Sequence, residues 1–115
     1  MATTARGRAV NLDETQAAVD TWIKTHGGGY WGKFEILARM TEELGEVASA
    51  LQRSEGLRPR KTEVDLPDEV GDLLFTLAAF ANVNGIRLDQ AMESTMLKYT
   101  RRDAQAWMTS QERKS

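Results

Sequence analysis

Two stretches of the chain carry carboxylates in the same arrangement. Residues 42–47 read EELGEV and residues 68–73 read DEVGDL, so acid, acid, aliphatic, glycine, acid and aliphatic recur position for position. On a helix each residue advances about 100°, which puts Glu42, Glu43 and Glu46 within an arc of roughly 100° and Glu69 and Asp72 within roughly 60°. Each set borders apolar neighbours, Leu44 and Val47 in the first and Val70 and Leu73 in the second. The acids thus sit where a helix turns from solvent toward its neighbour. Like charges at this spacing repel even when exposed, and two such sets brought together repel more. The pattern asks for a cation.

The glycines point the same way. Gly45 and Gly71 each cost about 1 kcal/mol against alanine in a helix interior, and a missing side chain beside the acids lets a helix or a ligand approach closely. Carboxylates with no cysteine in the chain and no histidine beside them favour a hard cation, Mg²⁺ or Mn²⁺. A di-iron site in a helical bundle needs Glu-x-x-His on two helices, and the single histidine, His26, lies on an apolar stripe far from any such pattern. His26 reads as a packed or helix-terminal residue. An EF-hand fails too, because the acids lie in helices. The competing reading is a solvated charged face, which the doubled pattern with matched glycines disfavours.

These acids need a scaffold, and the chain breaks into four segments that can supply one. The first runs from Leu12 to His26, the second from Gly32 to Glu55, the third from the Asp65 cap and Pro67 to just before Gly85, and the fourth from Asp89 to Met108. Ile36, Leu37, Met40, Leu44, Val47 and Leu51 form the apolar stripe of the second. Residues 56–65 read as a basic loop with Arg58, Arg60 and Lys61. β-branched residues nowhere alternate over a strand's length, so the expected fold is an all-α four-helix bundle in a single domain, residues 1–115, with residues 1–10 disordered. The stretch LLFTLAAFA, residues 73–81, is apolar almost all round; it must sit centrally or face another subunit.

Composition narrows the function classes. Apolar residues make up 41% of the 115, enough for a core, and the net charge is −2. Binding nucleic acid by bulk attraction usually needs a strong basic excess, so no nucleic-acid partner is expected. The amino terminus, MATTARGRAV, lacks an apolar run long enough for a signal peptide or a membrane span. A cytoplasmic protein without a membrane partner is the expectation.

The motif E-E-x-x-E, about twenty residues, then E-x-x-D, here Glu42, Glu43, Glu46, Glu69 and Asp72, resembles that of the MazG-like all-α nucleotide pyrophosphohydrolases. ARMTEELGEVASAL (38–51), EVGDLLFTLAAFAN (69–82) and KYTRRD (98–103) resemble the short single-domain members, over about Trp22 to Trp107. The resemblance implies hydrolysis of a nucleoside triphosphate to monophosphate and pyrophosphate, as in clearing unwanted nucleotides. It implies that Glu43, Glu46, Glu69 and Asp72 hold Mg²⁺, and that the protein is a homodimer or homotetramer. Of Glu42 and Glu43, one ligates metal while the other orients or deprotonates the water, with Glu43 the more central. Lys98 and Arg102, four apart on the last helix, can clamp phosphate oxygens, arginine bidentately. Larger members carry an asparagine seven residues after the last acid; here that position is Ala79, and Asn82, one turn on, reaches the same face. Trp31 can stack on a base or pack as a staple. Two other functions fit less well: a non-catalytic helical module keeping the fold, and a phosphohydrolase releasing inorganic phosphate.

Overall fold

The computed structural model describes residues 11–57, 66–103, 106 and 108–111. Among them every regular element is helical: α1 is Leu12–Thr25, α2 Lys33–Ser54, α3 Leu66–Val83 and α4 Leu88–Lys98, which runs on into a π-helical turn, Tyr99–Asp103. The expected disorder of residues 1–10, the basic loop residues Arg58, Arg60 and Lys61, and the Asp65 cap lie outside the described residues.

Local chemistry sets the helix ends. Asn11 caps α1, its Oδ1 accepting from the Glu14 N–H at 2.8 Å, with Asp13 and Glu14 in the first turn and Lys24 in the last to match the helix dipole. Gly28 and Gly29 follow at φ 77° and 100°, backbone that a side chain rarely adopts. The chain re-enters helix at Gly32, whose N–H donates to the Glu35 carboxylate at 3.1 Å. α2 closes as Leu57 N–H bonds back to the Gln52 carbonyl at 2.8 Å across Gly56. Pro67 takes its place in the first turn of α3, where its missing N–H costs nothing.

α3 is the central helix. It packs on α2 most extensively and on α1, while α4 packs on α1. The core joins Val19 and Ile23 of α1, Ile36 of α2, and Ala78 and Ala79 of α3, with Tyr30, Phe75, Phe80, Val83 and Leu88 laid against it. Ala78 is wholly buried, so its small side chain sets how closely the helices approach. A leucine there would cost about 1–3 kcal/mol by overpacking.

The inward face of α2 differs from the stripe read in the sequence. Buried or half-buried positions are Ile36, Met40, Glu43, Val47 and Ala50, while Leu37, Leu44 and Leu51 stand exposed. Two apolar stripes lie one residue out of step, about 100° apart around the helix, and the stripe containing the carboxylate faces the protein. On α3 an equivalent inward line, Glu69, Leu73, Thr76, Phe80 and Val83, begins with an acid.

Candidate functional site

Glu43 occupies a core position, one heptad from both Ile36 and Ala50, and its side chain is only 10% exposed. The helix packing that buries it also brings α3 close. Glu69 and Asp72, one turn apart near the start of α3, complete a group in which an oxygen from each of the three carboxylates lies within 4.8 Å of the others. Partial burial raises the Glu69 carboxyl above its usual value, and the charges of Asp72, Glu46, Glu43 and Asp68 push it further the same way. One cation answers this crowding: the Arg39 Nε stands 3.1 Å from Glu43 Oε1, four residues earlier on α2.

The doubled acids thus converge, unequally. Glu43, Glu69 and Asp72 form the group; Glu46 is exposed, outside it but near enough to act on Glu69; Glu42 is exposed and takes no part in it. A Cβ built on Gly45 or Gly71 meets no atom of the described residues within 4 Å, so no close helix approach among them requires either glycine. Both positions border open space.

A cavity of about 540 Å³ opens beside the acids. Arg39, Glu43 and Asp72 line one part of it; Trp22, His26, Tyr30, Trp31 and Phe75 line the rest. Trp22 meets Phe75 edge-on at 5.7 Å between centroids and His26 at 6.1 Å. His26, the expected helix-terminal residue, is the C-cap of α1 and also lines this space. Trp31 is half-exposed at its edge. All-oxygen donors beside an aromatic chamber suit a hard cation with an anionic, partly aromatic ligand.

The remaining expected site residues lie elsewhere. Asn82 is not among the cavity-lining residues; its amide is engaged by Gln16 and by the Tyr30 hydroxyl. That hydroxyl donates to Asp20 at 2.5 Å, holding the Asp20 carboxyl below its usual range. Burial, and then this bond, raises the Tyr30 phenol. Lys98 and Arg102 are exposed on α4 and the π-helical turn and do not line the cavity; the Lys98 ammonium lies over the Tyr99 ring at 5.1 Å. Sequence reasoning missed Arg39, Trp22 and Phe75 as site residues. Arg39 carried a signal, its four-residue lead on Glu43; Trp22 and Phe75 are indistinguishable from core positions by spacing.

Known proteins are similar to this chain in sequence and in fold. Residues 33–107 match the family described as the MazG nucleotide pyrophosphohydrolase domain. The protein YpjD of Bacillus subtilis (strain 168) is 36% identical over 106 residues, 90% of this chain and 96% of that one. Its crystal structure superposes with a TM-score of 0.71 over 80% of this chain and 97% of that one. The crystal structure of a Bacillus-conserved MazG protein, a nucleotide pyrophosphohydrolase, is 30% identical with a TM-score of 0.68, covering 80% of this chain and 91% of that one. For iMazG from Vibrio DAT 722, at 20% identity, a TM-score of 0.59 over 80% of this chain and 97% of that one shows a shared fold. With its doubled acids converging between two helices of that fold, the chain belongs to the MazG nucleotide pyrophosphohydrolase family.

Proposed function

We propose that this protein hydrolyses nucleoside triphosphates to monophosphate and pyrophosphate, with Mg²⁺, or Mn²⁺ in its place, held by Glu43, Glu69 and Asp72 and assisted by Glu46. The observation that carries this reading is the continuity of the three-carboxylate group with the aromatic cavity. The donor set fits a hard cation: the candidate ligating atoms are all oxygens, and burial, then the charges of the neighbouring acids, raise the Glu69 carboxyl above its usual value. Bound there, the metal would neutralise phosphate oxygens and make a bound water acidic enough to attack at neutral pH.

The side chains divide the remaining work. Trp22, Tyr30, Trp31 and Phe75 offer apolar faces on which a base can stack, so the triphosphate extends toward the acids. With Glu43 among the ligands, Glu42 is the member of the adjacent pair left to orient or deprotonate the water. Asn82 acts on the nucleotide through Tyr30, which it positions.

We further propose a homodimer or homotetramer. Phe34, Leu37, Leu44 and Leu51 form an exposed apolar line on α2, and Val70, Leu74 and Leu77 another on α3. A second subunit covering them would also give Lys98 and Arg102 a route to the triphosphate. No described helix is long and apolar enough to cross a membrane.

The reading is tested by incubating the protein with a panel of canonical and modified nucleoside triphosphates in Mg²⁺ and separating the products. Monophosphate with pyrophosphate is the expected outcome. Diphosphate with orthophosphate as primary products would replace it with a phosphatase, and no turnover of any triphosphate would sink it.

A further inference from the structure

Arg39 stands apart from the other basic residues among those described because of what surrounds its two ends. Its Nε is fixed 3.1 Å from Glu43 Oε1, and that carboxylate is nearly buried, so the anchor is far less mobile than a surface acid. The guanidinium has five N–H donors in a rigid plane; the Glu43 contact uses its inner edge. No partner among the described residues is found for its terminal amino groups, and Arg39 lines the same cavity as Glu43 and Asp72. An ordinary helical Arg–Glu pair four residues apart lies on the surface and contributes a few tenths of a kcal/mol. Here one partner is a core-position acid in a three-acid group, and the free edge borders the cavity.

We propose that Arg39 is a phosphate-binding residue of the site, oriented by Glu43 through its Nε and receiving oxygens of the substrate's polyphosphate on its terminal amino groups. This rests on the pyrophosphohydrolase reading above and adds to it a cation supplied by the same subunit as the acids. Glu43 then has two tasks: it holds the guanidinium, and its remaining lone pairs would be available to a metal. The geometry suits this double use, because a carboxylate offers about four lone-pair directions. An arginine fork matches two oxygens of a phosphate, a match that lysine's single ammonium cannot reproduce.

The test compares wild type with Arg39→Gln and Arg39→Lys by three measurements. Mn²⁺ affinity is measured without nucleotide by electron paramagnetic resonance. Affinity for inorganic tripolyphosphate, a probe with no base, is measured by calorimetry in saturating Mg²⁺. Steady-state kinetics use whichever triphosphate the wild type turns over. Arg39→Gln is expected to bind tripolyphosphate at least about tenfold more weakly and to raise KM by a similar factor, with kcat and Mn²⁺ affinity within about threefold of wild type. Arg39→Lys, which keeps the charge and loses the fork, falls between the two and provides the comparison should the Gln variant fold poorly. Unchanged tripolyphosphate affinity in both variants overturns the proposal. A loss of Mn²⁺ affinity equal to the loss of tripolyphosphate affinity also overturns it, because Arg39 would then only steady Glu43. A wild type that binds neither Mn²⁺ nor tripolyphosphate rejects the enzymatic reading itself.

Discussion

Gln16 of α1 and Asn82 of α3 hold each other by two hydrogen bonds: Gln16 Nε2 donates to Asn82 Oδ1 at 3.0 Å, and Asn82 Nδ2 donates to the Gln16 carbonyl oxygen at 3.0 Å. The chain of contacts continues from Asn82 to the Tyr30 hydroxyl at 3.1 Å and from Tyr30 to Asp20. Tyr30 lines the cavity, so a network joining two helices also fixes one wall of the site.

Replacing Asn82 by alanine removes three of these bonds at half-buried positions. Stability should fall by about 2–3 kcal/mol, read as a lower urea midpoint with an unchanged slope. Tyr30→Phe loses only the hydroxyl contacts and should fall by about 1 kcal/mol. Equal midpoints for Asn82→Ala and wild type would mean the network contributes nothing.

Glu43→Gln, Glu69→Gln and Asp72→Asn should each lower kcat at least about 100-fold, since each removes charge facing the transition state. Glu46→Gln, outside the three-acid group, should lower it about tenfold. Steady-state kinetics in excess Mg²⁺ check the order, and full activity in any of the first three would remove that residue from the ligand set.

The raised Glu69 carboxyl gives a pH dependence with a definite sign. Its ordinary value is 4.5, and burial, then the neighbouring carboxylates, raise it in the folded metal-free protein, so folding stabilises the neutral form relative to the unfolded chain. That stabilisation is complete below the unfolded value and is lost as pH rises through the higher folded value. In chelator, wild type should therefore lose stability as pH climbs above 4.5, and Glu69→Gln should lose less over the same range. Melting curves at stepped pH in EDTA read the difference. Parallel curves would show that the acids do not interact.

Mg²⁺ at about 100 times its dissociation constant should stabilise the wild type by about 2.7 kcal/mol through mass action. Glu69→Gln should gain less. Identical melting with EDTA and with excess Mg²⁺ would leave the acids as surface charge.

The exposed line on α2 predicts an assembly. Leu44→Glu should yield smaller particles in sedimentation than wild type, because a charge would have to enter the subunit contact. A wild type already monomeric at micromolar concentration would refute the assembly.

Much of this was legible in the sequence, and the reasons for the rest are physical. Helix ends announced themselves through Pro67 and Gly85, because such breaks act locally, whereas the Asn11 cap of α1 was not singled out. The acid pattern located Glu43, Glu69 and Asp72, because helical spacing fixes which residues share a face. The orientation of α2 was not legible, since Ile36, Met40 and Val47 compete with Leu37, Leu44 and Leu51 and only packing against α3 decides between them. The family resemblance put Asn82 at the nucleotide, and its partners in the fold, from residues 52 and 66 positions away, left no mark in its local spacing. The π-helical turn across YTRRD had no sequence signal, for such turns are rare and residue spacing does not distinguish them from α-helix.

Gln16 makes two further contacts: its Nε2 also donates to the Ile86 carbonyl at 2.8 Å, and the other has a mechanical consequence. Its Oε1 accepts the N–H of Leu88 at 2.8 Å, at the start of α4, where Arg87 supplies no side-chain cap of its own. α4 is thus pinned to α1 at one end, and its far end, carrying Lys98, is a lever arm about 15 Å long. A tilt of about 10° at the pivot sweeps Lys98 through nearly 3 Å by the same geometry, about the length of a hydrogen bond. The reach of the basic end of α4 is therefore set at its opposite end, where the Gln16 side chain and the Arg87–Asp13 ion pair at 2.6 Å tie it to α1.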